Sequence, residues 1–366
     1  MKKSLFAIAA VTAFAGAAQA QSSVTVYGII DMSYSSFSNK TTASSGAVTS
    51  ATGRTTGNGD GALSTSRLGF RGVEDMGGGK TAEFTLEYDL VDAGTGANVF
   101  GARQSFIGIG DKALGSLRLG RQFDSNYVAL TTGLAGAANN MPGSIYSAGL
   151  AGKSQNDSTV RPVKVFVDNA VTYTSPSLKG AQLQVQGGSS STSASDVAPA
   201  VATNFAAGSL TYTGVKNLAV ALGLYTDYAT STSTKDNAQT LAANYNFGVA
   251  QAFANYTMRK TQVLGVTTRD QKATEIGVRV PVTPVIGIWA SGFMGNNAGV
   301  NTQAGFASSI TGNTDIGGFQ LGSTYAMSKR TTAYAIYGQQ GVKGKGGSAP
   351  EQIQTQAYAV GLRHTF

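Results

Sequence analysis

Cysteine is absent from all 366 residues, so neither disulfide staples nor thiolate metal sites are open to the chain. Histidine occurs once, at His364, two positions from the C-terminus, which leaves little from which to build a hydrolytic triad. No metal site and no cofactor is read from the residues. Charge is scarce too: Asp, Glu, Lys and Arg make up 13% of the chain, against about 25% in typical soluble domains. Beyond the first twenty residues no apolar run approaches the roughly 18 residues of a spanning helix. The 27 basic and 19 acidic residues give a net charge of +8, but they are dispersed, and no basic cluster or motif marks a nucleic-acid partner.

What is present is glycine, at 48 positions, and abundant Ser, Thr, Asn and Gln in place of the missing charge. Low charge without an apolar excess excludes both a disordered chain and a helical membrane protein. It fits strands that are polar on one side and apolar on the other. The N-terminus is a separate matter. Lys2 and Lys3, the apolar stretch Leu5 to Phe14 and the small-residue site Ala18-Gln19-Ala20 form a secretory signal of the Sec type, predicting a cleaved leader over 1–20 and a mature domain over 21–366.

Period-two alternation recurs along the rest. Ala82, Phe84, Leu86, Tyr88 and Leu90 share one face of a predicted strand, with Thr81, Glu83, Thr85, Glu87 and Asp89 on the other. Leu218, Val220, Leu222 and Leu224 repeat the pattern, as do Ile276, Val278 and Val280 against Glu275 and Arg279. The last strand sets Tyr358, Val360, Leu362, His364 and Phe366 against Ala357, Ala359, Gly361, Arg363 and Thr365. Such strands need water on one face and hydrocarbon on the other. Trp289 and Phe293, in phase with each other, are expected in an aromatic girdle or on the lipid face.

Connections alternate between short and long. Turns such as Asp75 to Gly79 and Pro176 to Gly180 separate long polar segments near 38–62, 92–99, 125–162, 190–201, 229–237, 261–272, 296–315 and 341–353. Seven short turns and eight long loops imply sixteen strands, with both termini on the short-turn side. A twenty-residue leader leaves roughly 21 residues for each strand and its connection, where a spanning strand takes about 9–11. The predicted fold is therefore all-β, a 16-stranded antiparallel transmembrane barrel wide enough for an aqueous channel.

Ser22 to Asp31, Ser66 to Gly79, Gly101 to Gly108, Leu117 to Asp124, Asn169 to Pro176 and the terminal Gly361-Leu362-Arg363-His364-Thr365-Phe366 resemble the trimeric general porins of β-proteobacteria, the neisserial and Burkholderia-type group. Thr365 stands where that family pattern has a basic residue. The resemblance implies a homotrimer in the Gram-negative outer membrane, in contact with membrane lipid and lipopolysaccharide. It also implies a third extracellular loop, here about 124–161, folded inward to narrow the pore. Arg161 falls where the family carries a constriction arginine, and Tyr358, Val360, Leu362 and Phe366 match its C-terminal signal to the barrel-assembly machinery.

Phase assigns the candidate site. Arg67 and Arg71 share the lumen face opposite Leu68 and Phe70, Arg103 falls opposite Phe106, and Arg118 opposite Leu117 and Leu119. Arg67, Arg103 and Arg161 are the expected constriction, with Arg71 and Arg118 on the approach and Arg121, out of phase, at the outer edge or subunit interface. Glu83, Glu87, Asp89 and Asp124 are the acids expected to oppose this ladder. Two outcomes stay open: the arginines select small anions, or they pair with acids such as Asp124 or Asp157 and merely place the loop. A general diffusion channel for small hydrophilic solutes and ions, mildly anion-selective and not enzymatic, is the leading expectation. A substrate-specific channel for organic acids and a plugged adhesive barrel are the alternatives.

Overall fold

Alternation fixes which side chains share a face, and backbone pairing then decides how many strands close the ring. The computed structural model describes residues 23–43, 45–56, 61–90, 100–147, 162–192, 201–229, 232–298, 313–345 and 352–366. The expected leader lies outside these.

The first strands are β1 (Ser23–Thr42), β2 (Val48–Thr56), β3 (Arg67–Gly77), β4 (Lys80–Leu90), β5 (Phe100–Asp111) and β6 (Gly115–Phe123). Then come β7 (Phe166–Thr174), β8 (Ala181–Thr192), β9 (Val201–Tyr212), β10 (Leu218–Ala229), β11 (Thr234–Asn246) and β12 (Gln251–Val263). The last are β13 (Val266–Pro281), β14 (Ile286–Ala298), β15 (Thr314–Ala326), β16 (Thr331–Gly344) and β17 (Gln352–Thr365). All belong to one antiparallel sheet. β1 meets β17 from Ile29 opposite Thr365 to Thr42 opposite Gln352, and this closes the sheet on itself. Gly28 and Phe366 exchange backbone hydrogen bonds of 3.1 Å at the seam. β2 pairs with the second half of β1 and β3 with its first half, so together they make one interrupted wall strand of a 16-strand barrel. A closed sheet leaves no unpaired edge, the condition for crossing hydrocarbon with strands.

The predicted faces are the observed ones on most strands. On β10, Leu222 and Leu224 are exposed outward while Ala221, Tyr225 and Asp227 are buried inside. On β17, Tyr358, Val360 and Leu362 point outward between buried Ala357 and Ala359, and Phe366 is exposed at the end.

Three of the expected long loops are largely strand instead, and the one near 38–62 contains the end of β1 and all of β2. β11 already begins at Thr234, and β12 and β13 are joined by Leu264 and Gly265 alone, both at positive φ (50° and 80°), the conformation of a tight hairpin turn. Above the hydrocarbon both faces of a strand meet water. Apolar alternation stops there while backbone pairing continues, so a reading by hydropathy ends these strands too soon.

After β6 the chain enters helix α1 (Ser125–Thr131) and later a single 3-10 turn, Ile145–Ser147. α1 packs on β8 to β11, with Ala129 against Ala221 and Ala242. Farther along, Gln320 of β15 donates to Pro142 O at 3.0 Å, and Gln340 of β16 accepts from Gly143 N at 3.1 Å and Ser147 Oγ at 2.8 Å. Leu130, Leu134, Ile145 and Val163 form an apolar cluster with Phe293, Ile316, Val342 and Ile353 of the strands. Trp289 and Phe293 are accordingly not lipid-facing. Trp289 is 6% exposed, packs with Met141 and Phe253, and donates Nε1–H to Gln320 at 3.1 Å. Alternation marks two faces but does not say which is outside when loop residues cover the inner one.

A second segment, 61–66, joins this layer between β2 and β3. Asp31 of β1 accepts from Ser64 N at 2.7 Å, Ser64 Oγ at 3.1 Å and the Tyr334 hydroxyl at 2.5 Å. Ala62 O in turn accepts from Asn140 N at 3.0 Å.

Candidate functional site

β4 carries the acids and its neighbours carry the arginines, because each side chain follows the pleat of adjacent, paired strands. Arg103 donates from Nε to Glu87 at 2.7 Å and from Nη1 to Asp89 at 2.8 Å. Arg118 grips Glu83 with Nε at 2.7 Å and Nη2 at 3.3 Å. Arg67 donates Nε–H to Thr65 O at 3.1 Å, and Glu87 stands 4.0 Å from its Nη1. Arg71 lies over the Tyr27 ring at 5.2 Å, and the Tyr27 hydroxyl donates to Glu87 at 3.0 Å. Glu83, Glu87 and Asp89 thus stand among the arginines on the same wall, not across the lumen from them. Pairing does occur, but with these acids. Arg161 and Asp157 lie outside the described residues.

Two register irregularities change the expected phase. Gln104 pairs with Glu87 but Ala102 pairs with Tyr88, so Arg103 occupies a bulge and Phe106, three residues on, also turns inward. There the Arg118 guanidinium sits 5.0 Å from the Phe106 ring centroid, which corrects the outward placement of Phe106. The second irregularity lies between Gly120 and Gln122 of β6, where Arg121 faces two residues of β7, Asp168 and Asn169; beside it Gly120 has a φ of 128° and a Cβ there would lie 2.2 Å from Ser105 O. The irregularity returns Arg121 to the interior, where Nη1 pairs with Asp168 and the guanidinium lies 4.9 Å from the Phe166 centroid. Arg121 is therefore part of the inner wall and not an outer-edge residue.

Asp124 is not a lumen acid. It is fully buried at the N-cap of α1, accepting from Asn126 N at 2.6 Å and Tyr127 N at 3.3 Å. Burial pushes its carboxyl up to about 7, with the two backbone donors and the Lys164 and Arg259 charges opposing the rise.

Arg67, Arg103 and Arg121 border one cavity of about 320 Å³ together with Asp89, Phe123, Tyr127 and Phe166. Arg121, Lys164 and Arg259 border an adjoining space of about 560 Å³ with Asp168, Asp227 and Asp236. Arg259 holds Asp236 from Nε at 3.0 Å and Nη2 at 2.6 Å, and Lys164 pairs with Asp227. Sequence reading missed Lys164 and Arg259. Arg259 lies before the expected loop near 261 and in phase with the inward Asn255 and Thr257, so alternation along β12 was the signal that could have found it.

A closed 16-strand cylinder, apolar outside and lined by charge within, defines a β-barrel channel of the outer-membrane type. Comparison with known proteins agrees. The family model described as Gram-negative porin matches residues 7–345, and the chain belongs to that family. An outer membrane porin protein of Bordetella pertussis is 29% identical over the full length of both chains. Outer membrane porin protein 32 of Delftia acidovorans is 28% identical, also over both full lengths. The major outer membrane protein P.IA of Neisseria meningitidis is 48% identical over 62 residues, 16% of this chain. Among solved structures, the anion-selective porin from Comamonas acidovorans shares the fold at TM-score 0.69 and 23% identity, covering 94% of this chain and 100% of its own. The protein is a porin channel of the Gram-negative outer membrane, lodged in its lipid, and its relatives are channels.

Proposed function

We propose a passive diffusion channel for small hydrophilic solutes and ions, mildly anion-preferring, that performs no enzymatic step. Its aperture lies between the segment that starts at Asp124 and the arginine-bearing wall. The observation that carries this is the cavity where Arg67, Arg103 and Arg121 meet with, among the described residues, a single lining carboxylate, Asp89. Glu87, only 5% exposed, lies behind Arg103 and Arg67 and does not line it. Glu87 and Asp89 hold Arg103 and Asp168 holds Arg121, so Arg67, 4.0 Å from Glu87, is the cation offered to anions, and because guanidinium keeps its proton the preference is insensitive to pH. Arg118 and Arg71 line the approach toward the short-turn rim, and Arg161 is assigned to the same constriction. An anion-selective porin among the fold's neighbours supports the reading.

Further parts of the proposal are a leader removed before residue 21, a homotrimer among lipopolysaccharide, and recognition of Tyr358, Val360, Leu362 and Phe366 by the barrel-assembly machinery. Reversal potential in a salt gradient across planar bilayers tests the central claim. Wild-type channels should give an anion-side potential and three-level openings. A cation-side potential would refute the preference, and electrical silence would favour a plugged adhesive barrel.

A further inference from the structure

The aromatic residues at the arginine-lined cavity do something a simple ion passage does not need. Phe123 stacks on Phe166 with centroids 4.8 Å apart, and Tyr127 stacks on Phe123 at 5.5 Å. Arg103 and Arg121 approach the same Phe166 ring at 5.2 and 4.9 Å. All five border the cavity of about 320 Å³, so aromatic carbon and guanidiniums line the same space. Arg67 completes the lining, and its nearest carboxylate among the described residues, at 4.0 Å, is beyond hydrogen-bond reach.

Chloride or phosphate would use the charge and leave the rings idle. An aliphatic acid would use the charge and ordinary apolar contact. Only a solute that is both planar and anionic engages both, with its carboxylate forked against a guanidinium and its ring packed against the edge of the aromatic layer. The cavity is at the small end of ligand pockets, which run from about 300 Å³ upward, and so admits one ring at a time.

We infer that this cavity is a transient binding site for aromatic monocarboxylates, with Arg67 meeting the carboxylate and the Phe123–Phe166 stack receiving the ring. The inference rests on the anion-preferring channel proposed above and names the solute class that the same aperture favours.

Single-channel chloride currents provide the test, with benzoate, cyclohexanecarboxylate and benzyl alcohol as probes. Benzoate should interrupt the current at about fivefold lower concentration than cyclohexanecarboxylate, the factor that one ring contact supplies. Benzyl alcohol, a ring without the charge, should not interrupt it at the same concentrations. Phe166→Leu should bring the two acids to equal potency, Phe166→Tyr should preserve the difference, and Arg67→Gln should weaken both acids. Equal potency in wild type, or a difference that survives Phe166→Leu, overturns the inference. If Phe166→Leu does not assemble, the wild-type comparison of the two acids together with Phe166→Tyr decides it. The wild-type reversal potential in plain salt is read separately. An anion-side potential with no benzoate preference sinks this inference alone, whereas a cation-side potential sinks the reading beneath it.

Discussion

Arg103 bridges Glu87 and Asp89, carboxylates two residues apart on β4, with hydrogen bonds of 2.7 and 2.8 Å from one guanidinium. Removing that guanidinium leaves two acids facing each other in a confined wall. Arg103→Ala should move the reversal potential toward cations and lower stability by about 3 kcal/mol, the scale for breaking a buried pair from one side. Adding Glu87→Gln should recover part of both. An unchanged reversal potential in the single variant would remove Arg103 from the selectivity assignment.

Asp124 gives the loop a pH dependence with a definite sign. Its folded value of about 7 lies above the ordinary 3.8, so the folded state holds the proton more tightly than the unfolded one. The stabilisation is complete below 3.8 and is lost as pH rises through about 7. Amide exchange at Asn126 and Tyr127 should therefore be slower, after correction for intrinsic rates, at pH 4 than at pH 8. Asp124→Asn should flatten that dependence while keeping the cap. Asp124→Ala should cost about 1 kcal/mol at pH 4 and less at pH 8, where the native carboxyl has lost its proton.

Gly120, at a φ of 128°, adjoins the irregularity at which Arg121 turns inward. Gly120→Ala places a methyl 2.2 Å from Ser105 O at a φ of 128°, so the backbone must shift. A loss of about 2 kcal/mol or more is expected in thermal unfolding of the barrel. The Arg121–Asp168 pair should loosen at the same time, reducing anion preference. Wild-type stability in Gly120→Ala would show that the irregularity does not depend on Gly120.

Trp289 is the only tryptophan and lies beneath Met141, bonded to Gln320. Its emission should therefore be blue-shifted and shielded from aqueous quenchers. Trp289→Leu should unseat the loop and raise open-channel conductance and current noise. A lipid-facing tryptophan would leave both conductance and noise unchanged on substitution.

The barrel was legible in the chain because hydrocarbon and water impose period two on every crossing strand. Leu222 against Ala221, or Val360 against Ala359, needs no tertiary knowledge to assign. The candidate site was only partly legible. Arg67, Arg71 and Arg118 obey the phase of their strands, whereas Phe106 follows a bulge that inserts Arg103 into β5, and Arg121 follows an irregularity whose extra residue lies on the neighbouring β7. No hydropathy pattern marks such an insertion in advance.

Composition and alternation alone determined the strand-built envelope, its apolar exterior and the identity of most inward charges, because each follows from local pleat and solvent. Closure between β1 and β17, the packing of Trp289 and Phe293 beneath the loop, and the meeting of Arg67, Arg103 and Arg121 around one cavity were decided only by the tertiary structure. These depend on residues far apart in the chain being brought together by register, and register is a property of paired strands rather than of any one of them.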